Sequence, residues 1–394
     1  MNKRGIALMI TYMIIAMLTS LSLAYLGNGV SEKVIADKLS KSTQALWLAE
    51  SGVQRALWEL NKNNCAGCSN CAGNRCVSGT LASGGTYATT IAPTAIASTG
   101  SVNAANPITR TVQVNIASSS AFSFSAFARN KVILLNNAMT DSYNSAIGLY
   151  GGANIGQDGD VGTNSSAAND VSLGNNATVK GDASTGAGGT VQLNSNSTVT
   201  GSITHANNVN IPSVTIPSDL SSLPNLGVIN GSQPIPAGSY QYSSISMANN
   251  ATLTINGSVN LYLSSTDSAI SMGNNCNIVV SSGAKLTVYV KGTVAIANNS
   301  ALNNVGKVPS NFQLYSSYSG SNGIQISNNG NFYGAIYAPD TDIVLANNVD
   351  CFGSFIGKTV DLSNNGDIHY DEALKLVTNP IFASSYTASN WQEF

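Results

Sequence analysis

The chain opens on a long run of apolar positions that no charge interrupts. Residues Ile6 to Gly27 carry no charged side chain and no proline. As a helix rising 1.5 Å per residue, this run would reach about 33 Å, enough to cross the hydrocarbon core of a bilayer. Lys3 and Arg4 precede it, and basic residues favour the cytoplasmic side. The pattern predicts a membrane-spanning helix over 6–27, with the rest of the chain exported.

The pattern then becomes amphipathic. Apolar residues follow a three-and-four spacing, which predicts a helix over 28–62 with one apolar face. Nine of the 36 charged residues of the chain crowd into this segment, where solvent-facing helix positions need them. The apolar positions are Val34, Ile35, Leu39, Ala45, Leu46, Ala49, Val53, Ala56, Leu57 and Leu60.

Three interpretations fit the N-terminus: a cleaved secretory signal, a plain membrane anchor, and a pilin-type leader. Lys3-Arg4-Gly5 followed by Ile6 resembles a class III prepilin leader, and Ala49-Glu50-Ser51-Gly52 resembles the Ala-Glu-x-Gly signature of the PilX N-terminal family of minor pilins. The resemblance implies that a prepilin peptidase removes residues 1–5 between Gly5 and Ile6. It also implies that Ala49, Glu50 and Gly52 form a filament-packing motif.

One position departs from the major pilins that this family accompanies. The mature chain would begin at Ile6, so its fifth residue is Ile10, where major pilins usually carry Glu. No acidic residue occurs before Glu32. Minor pilins that lack this Glu are placed at filament tips, so the resemblance implies a subunit at or near the tip.

Four cysteines follow the helix in a polar loop over 63–80. Their spacing is Cys65-x2-Cys68-x2-Cys71-x4-Cys76. Two disulfides, a zinc site and an iron–sulfur or redox site all fit such spacing. The membrane span places the loop outside the cytoplasm, where thiols oxidise, so disulfides are favoured. Spacing alone does not give their connectivity.

Short alternating segments come next. Tyr87–Ala92 and Thr109–Ile116 alternate apolar and polar residues and predict strands over 81–117. A small antiparallel sheet behind an N-terminal helix is the pilin-like arrangement. Residues 118–125 are a predicted linker.

From residue 126 a repeat appears, in which an apolar residue and a spacer precede an Asn pair. Asn tolerates the left-handed backbone of a tight corner, and stacked amides can bond between successive coils. The repeat predicts a parallel β-helix over 126–372 with an asparagine ladder, resembling right-handed pectate-lyase-like β-helices. Leu135-Asn136-Asn137 is the first copy, Leu193-Asn-Ser-Asn196 is a degenerate one, and the predicted ladder is Asn175, Asn176, Asn249, Asn250, Asn274, Asn275, Asn298, Asn299, Asn328, Asn329, Asn347, Asn348, Asn364 and Asn365.

The end of the chain contains the phrases Gly334-Ala-Ile-Tyr-Ala-Pro339 and His369-Tyr-Asp371. Residues 325–374 resemble the β-solenoid domain that often follows PilX-type N-termini in bacterial surface proteins, a domain with no activity to transfer. The tail over 373–394, with Trp391 and Phe394, is predicted to cap the open end of the solenoid.

Charge is scarce and unevenly divided. Residues 1–129 carry ten Lys and Arg against four Asp and Glu, whereas residues 130–394 carry seven Lys against fifteen Asp and Glu, with no Arg. An acidic body without Arg argues against nucleic-acid binding. Asp158-Gly159-Asp160 and Asp340-Thr341-Asp342 are the compact carboxylate pairs, and both lie in turn-like contexts where Asp is common. No catalytic, metal or cofactor site is predicted.

The sequence thus predicts a mainly β protein: a long N-terminal helix with a small pilin-like antiparallel sheet, then a right-handed β-helix. The predicted function is a structural, non-enzymatic subunit of a type IV pilus or related filament that presents the β-helix for adhesion. The implied partners are other pilin subunits, the prepilin peptidase, the inner membrane before assembly and a surface glycan. A membrane-anchored polysaccharide lyase or hydrolase and a secretion-system pseudopilin are the alternatives. Two roles fit Tyr315, Tyr318, Tyr333 and Tyr337: stacking on sugars and a structural role, of which the structural role is favoured.

Overall fold

The computed structural model describes residues 3–62, 67–71, 74–81, 84–92, 95–102, 105–119, 122–303, 305–327, 329–377 and 385–394. The chain divides into two compact units. The first unit comprises Met1–Ala117 and Tyr386–Phe394, and the second comprises Ser118–Ser385.

A long helix and a six-stranded sheet make up the described part of the first unit. Helix α1 spans Lys3–Lys62, and the sheet contains β1 (Ser69–Cys71), β2 (Asn74–Thr80), β3 (Thr86–Ile91), β4 (Ala95–Val102) and β5 (Ile108–Ser119) in sequential order. These neighbours pair antiparallel. The C-terminal strand Ser385–Glu393 lies beside β5 and completes the sheet.

The second half of α1 packs on the sheet through small residues, which lets the two backbones approach closely. Gly52 of the helix faces Tyr87, Thr89 and Ser98 on β3 and β4. Gly100 of β4 lies directly against the helix backbone, so a Cβ at either glycine would fall within 3.0 Å of its neighbours. The fully buried helix residues on this stripe are Ala45, Ala49, Val53 and Ala56.

The second unit is a large parallel sheet. Its strands are β6 (Ala126–Leu134), β7 (Met139–Tyr143), β8 (Val161–Thr163), β9 (Val171–Leu173), β10 (Thr178–Val179), β11 (Ala183–Ser184), β12 (Val191–Leu193), β13 (Thr198–Val199), β14 (Ile203–Thr204), β15 (Val228–Asn230), β16 (Gln233–Tyr242), β17 (Ser244–Met247), β18 (Thr252–Leu263), β19 (Ser268–Met272), β20 (Asn277–Val280), β21 (Lys285–Val290), β22 (Thr293–Ile296), β23 (Ala301–Leu302), β24 (Phe312–Ser316), β25 (Ile324–Ile326), β26 (Asn331–Leu345), β27 (Asp350–Leu362) and β28 (Asp367–Asp371). The C-terminal strand of the first unit is therefore β29. Short helices occur at Gly152–Asn154, Ser218–Ser221 (α2), Pro309–Asn311 and Glu372–Leu376.

The chain enters this parallel sheet in its middle. Strand β6 pairs with β8 and β9 on one side and with β27 on the other, and β7 pairs with both β10 and β28. The chain therefore winds outward through β14 and continues through residues 205–227, which we call the returning segment. It then starts again at β15, at the opposite end, and winds back until β27 and β28 meet β6 and β7. We call this meeting of the two passes the seam.

Two large apolar cores and a smaller aromatic cluster of Tyr143, Tyr333 and Phe352 lie in the second unit. The inner core runs through the unit from Val179 and Leu173 to Ile229 and is lined by Val, Leu and Ile from most strands. A second core forms on the outer surface, where Ile211, Val214 and Leu220 of the returning segment cover a row of aromatic side chains. That row follows the strand register and consists of Tyr262, Tyr289, Tyr315, Tyr337 and, beyond Ile356, Phe127.

The predicted mainly β fold, with one long N-terminal helix, a small antiparallel sheet and a large parallel sheet, is confirmed. The predicted cap over 373–394 differs from the structure, because Tyr386–Phe394 belong to the first unit. Thr111 and Phe394 exchange backbone hydrogen bonds of 3.2 and 2.8 Å, and Ala388 packs on the core of the first unit. The second unit is thus inserted between two neighbouring strands of the first.

Candidate functional site

The exposed part of helix α1 is the largest uncovered apolar surface on the described residues. A segment of the helix between Leu8 and Leu60 is long and apolar enough to span a membrane, and its most apolar stretch is not buried. Tyr12 and Tyr25 are 77% and 82% exposed. Surface of this kind needs a membrane or other helices to cover it. Gly5 and Ile6 lie within α1, and cleavage between them remains a prediction.

The three residues of the predicted packing motif face in two directions. Ala49 and Gly52 are buried against the chain's own sheet, whereas Glu50 is exposed. The small residues are therefore explained by the close approach of helix and sheet. Among the three, only Glu50 is left on the side where another subunit could pack.

The cysteine loop lies partly outside the described residues. Cys68 and Cys76 are disulfide-bonded. Cys65 lies in a segment that is not described, and the side chain of Cys71 is not described either. The connectivity, and the number of disulfides, therefore remain predictions. Cys276 and Cys351 are free and fully buried thiols.

The repeated asparagines form a hydrogen-bonded column along one corner of the second unit. The second Asn of each described pair has a left-handed backbone, with φ between 54° and 64° at Asn137, Asn176, Asn250, Asn275, Asn299, Asn329, Asn348 and Asn365, and Asn196 shares it. In the column, the side-chain Nδ2 of one Asn donates to the side-chain Oδ1 of another at 2.9–3.4 Å. The donor–acceptor pairs are Asn275–Asn250, Asn329–Asn299, Asn365–Asn348, Asn137–Asn365, Asn176–Asn137 and Asn196–Asn176.

The first Asn of each pair contributes to the same column in a different way. Its side-chain Oδ1 accepts from a backbone N–H of another Asn at 2.8–3.1 Å. The acceptor–donor pairs are Asn249–Asn274, Asn364–Asn136 and Asn136–Asn175. Asn347 accepts at Oδ1 from Asn364 Nδ2, and Asn274, Asn298 and Asn175 accept through their backbone carbonyls. Asn328 lies outside the described residues. The column crosses the seam at Asn137 and Asn365, which are 228 positions apart in the chain.

Charged groups converge at the seam. His369 Nδ1 lies 2.6 Å from Asp141 Oδ1, and Nε2 lies 3.0 Å from Asp350 Oδ1. The Tyr150 hydroxyl donates to Asp141 Oδ2 at 2.8 Å, and the Lys180 ammonium is 3.5 Å from the same oxygen. Asp141 is fully buried; its Oδ1 faces His369 of the second pass, and its Oδ2 faces Tyr150 and Lys180 of the first pass.

The seam fixes the charge of His369. Burial lowers the pKa of the imidazole, but hydrogen bonds and charges from Asp141 and Asp350 outweigh it and raise the pKa to about 9. Tyr150 covers the ring at 3.9 Å between centroids, and Phe352 lies 4.8 Å away. Both ring nitrogens are engaged and one ring face is covered, so the imidazolium is not free to take or give a proton to a ligand. The geometry supports a structural role for His369, which links the two passes of the chain.

The predicted carboxylate pairs have structural partners. Asp340 forms an ion pair with Arg129, 2.5 Å between Oδ1 and Nη1, and Arg129 also donates to the Ile211 carbonyl of the returning segment at 2.9 Å. Asp342 accepts from the Asn322 N–H at 3.2 Å. Asp158 pairs with Lys375 at 2.8 Å, and Asp160 accepts from the Asp182 N–H at 2.8 Å.

Burial of two of the four tyrosines agrees with the favoured structural role and leaves them unable to stack on a sugar. Tyr315 and Tyr337 are fully buried beneath the returning segment, and the Tyr337 hydroxyl donates to the Pro212 carbonyl at 2.7 Å. Tyr333 is 9% exposed and stacks on Phe352 at 4.2 Å. The sequence did not indicate that the segment 205–227 covers this row. Within the described residues, no group of three or more His, Cys, Asp or Glu side chains is placed to hold a metal ion.

Comparisons with known proteins add little to this geometry. Residues 221–377 match the model of a domain of unknown function, DUF7305, which covers the second pass of the parallel sheet. No curated protein matches the chain. Among solved structures, the chain is similar to the competence-associated pilin ComZ from Thermus thermophilus, with 10% identity over 90% of this chain and 98% of that one. The TM-score is 0.20, which is too low to support an argument from that structure.

Proposed function

We propose that this chain is a pilin-like structural subunit of a type IV pilus or related filament, placed at or near its tip. The observation that carries the proposal is α1 itself. Its first half is exposed and apolar over a length that crosses a bilayer, and its second half packs through Ala45, Ala49 and Gly52 on a small antiparallel sheet. A helix built this way anchors a subunit in the inner membrane and then packs against other subunits in a filament.

The second unit is proposed to be the displayed part of the subunit, a right-handed β-helix with an asparagine ladder. Its support is the parallel pairing of successive strands and the column of Asn side chains that bonds them. Repeated units of this kind offer a long side surface, which suits adhesion to a surface glycan. The second unit carries few charged residues, and both ring nitrogens of His369 face carboxylates. These features favour a binding surface over a catalytic one.

The N-terminal peptide tests the proposal. Protein purified from native cells would be digested and its first peptide weighed, and filaments sheared from the same cells would be probed for the chain. We expect a start at Ile6, produced by a prepilin peptidase, and co-purification with the filaments. An intact Met1, or a cut beyond residue 20, would refute the filament function and leave a secreted or anchored domain.

A further inference from the structure

An open groove lies between strand β29 and the face of α1 opposite the residues buried on the sheet. The cavity is about 720 Å³ and is lined by Trp47, Glu50, Ser51 and Gln54 of the helix and by Trp391 of β29. The four helix positions are spaced by three and four residues, so they share one face. The two indole rings are 65% and 46% exposed, and such aromatic surface is costly to leave in water.

Both walls of the groove are contacted from strand β5. Arg110 Nε on β5 donates to Ser42 Oγ on the helix at 2.8 Å. Arg110 Nη1 is also 3.6 Å from Glu393 Oε1 on β29. Arg110 thereby contacts both the helix and the strand that border the groove.

Glu50 gives the groove a negative charge that the described part of the chain does not neutralise. The carboxylate is exposed and forms no ion pair within the described residues. A carboxylate between two indole rings suits a lysine or arginine side chain, whose charge meets the carboxylate and whose methylene groups pack on the rings. The occupant is therefore expected to be a basic side chain.

The same helix offers such a side chain on its opposite face. Lys38 precedes Ala49 by 11 residues, which is three helical turns within about 20°. It therefore lies on the stripe that the sheet covers from Ala45 onward, but just before that cover begins, and it is exposed. Lys41 is already paired with Asp37 at 2.6 Å, whereas Lys38 forms no ion pair among the described residues. Lys33 lies on the groove side.

Copies of this chain in one membrane must run parallel, because each helix enters with its basic end on the same side. When parallel copies pack side by side, the outward face of one helix meets the opposite face of the next. That opposite face is covered by its own sheet from Ala45 onward, so only the part before Ala45 is open to a neighbour. Lys38 is the basic residue there without an ion pair.

We propose that the groove binds the helix of a second copy, with Lys38 of that copy at Glu50 and against Trp47. The pairing displaces neighbouring copies along the helix axis by 12 residues, or about 18 Å. This inference rests on the proposed filament function, and it requires two adjacent copies of the chain near the filament tip.

Charge reversal in two differently tagged full-length copies tests the pairing. Both copies would be expressed in the native host, solubilised in mild detergent and purified through one tag, with the second tag measured. We expect Glu50→Lys in both copies, or Lys38→Glu in both, to lower recovery of the second tag about tenfold. Glu50→Lys combined with Lys38→Glu in both copies should restore it. Lys33→Glu is the matched control, and combined with Glu50→Lys in both copies it should not restore recovery.

The outcomes separate the inference from the function beneath it. Wild-type copies that fail to co-purify, or co-purification that survives each single reversal, would overturn the pairing while the chain is still found in sheared filaments. Absence of the wild-type chain from those filaments would instead contradict the filament function. All substituted positions are exposed, and equal amounts of each variant in the membrane fraction would show that folding is intact.

Discussion

The close approach of helix and sheet predicts that a single methyl group at Gly52 destabilises the first unit. Alanine is a better helix former than glycine, so Gly52→Ala should gain about 1 kcal/mol from the backbone alone. The added Cβ, however, would lie 2.9 Å from Tyr87 Cδ2 and still closer to the hydroxyls of Thr89 and Ser98. Those two hydroxyls are buried and hydrogen-bonded to each other at 2.8 Å.

The steric cost should exceed the helical gain. Forcing extra volume into a packed contact costs about 1–3 kcal/mol, and disturbing the buried Thr89–Ser98 hydrogen bond adds about 1 kcal/mol. Subtracting the gain in helix propensity leaves a net loss of roughly 2 kcal/mol. For a unit of this size, such a loss lowers the melting temperature by about 6–10 °C.

Tryptophan fluorescence measures this change selectively, because Trp47, Trp58 and Trp391 are the three tryptophans of the chain and all lie in the first unit. Thermal unfolding of the full chain in detergent micelles would be followed at the tryptophan emission. Gly29→Ala is the matched control, since no atom lies within 4 Å of a Cβ at Gly29. A Gly52→Ala variant that melts at or above the wild-type temperature would refute the steric argument.

Three further predictions concern the other features of the structure. The pKa of His369 is raised from 6.5 to about 9, so protonated His369 adds at most about 3 kcal/mol to the free energy of unfolding of the second unit. This contribution is fully present below pH 6.5 and is lost as the pH rises through 9. His369→Gln should remove the decline, as measured by denaturation followed by far-ultraviolet circular dichroism. Asn137→Ala should lower the stability of the second unit by about 1–2 kcal/mol more than Asn137→Gly, because both variants lose the column hydrogen bonds but only Ala is strained at φ 57°. Equal losses would contradict the backbone argument. Asn322→Gly, at a left-handed position outside the column, is the control. Reduction with dithiothreitol should lower the stability of the first unit by about 2–4 kcal/mol in the tryptophan signal, because Cys68 and Cys76 are disulfide-bonded there, and should leave the second unit unchanged.

Local patterns were enough to predict most of the secondary structure. The apolar run and the three-and-four spacing predicted α1, and alternation predicted the strands of the small sheet. The Asn pairs predicted tight corners, and the described ones have the left-handed backbone that Asn tolerates best. In each case the energy that decides the structure comes from residues close together in the chain.

The order of the coils could not be predicted in this way. Any coil of a repeat can pair with any other, and the pairing of β6 with β27 depends on packing between residues that are far apart in sequence. The gap between Asn196 and Asn249, interrupted by Pro212 and Pro217, was a signal that the repeat breaks there. It did not reveal that this segment returns over the row of tyrosines, so the sequence alone left open both a structural and a sugar-stacking role for Tyr315 and Tyr337.

The insertion couples completion of the first sheet to synthesis of nearly the whole chain. Strand β5 ends at Ser119, and its neighbour β29 begins only at Ser385. Until β29 arrives, the outer edge of β5 presents unpaired backbone groups and no proline to block them, which is a template for pairing with other chains. Folding of the second unit joins its first and last strands, because β27 and β28 pair with β6 and β7 at the seam. The seam residues Asp141, Asp350 and His369 therefore stabilise the second unit by linking its two passes.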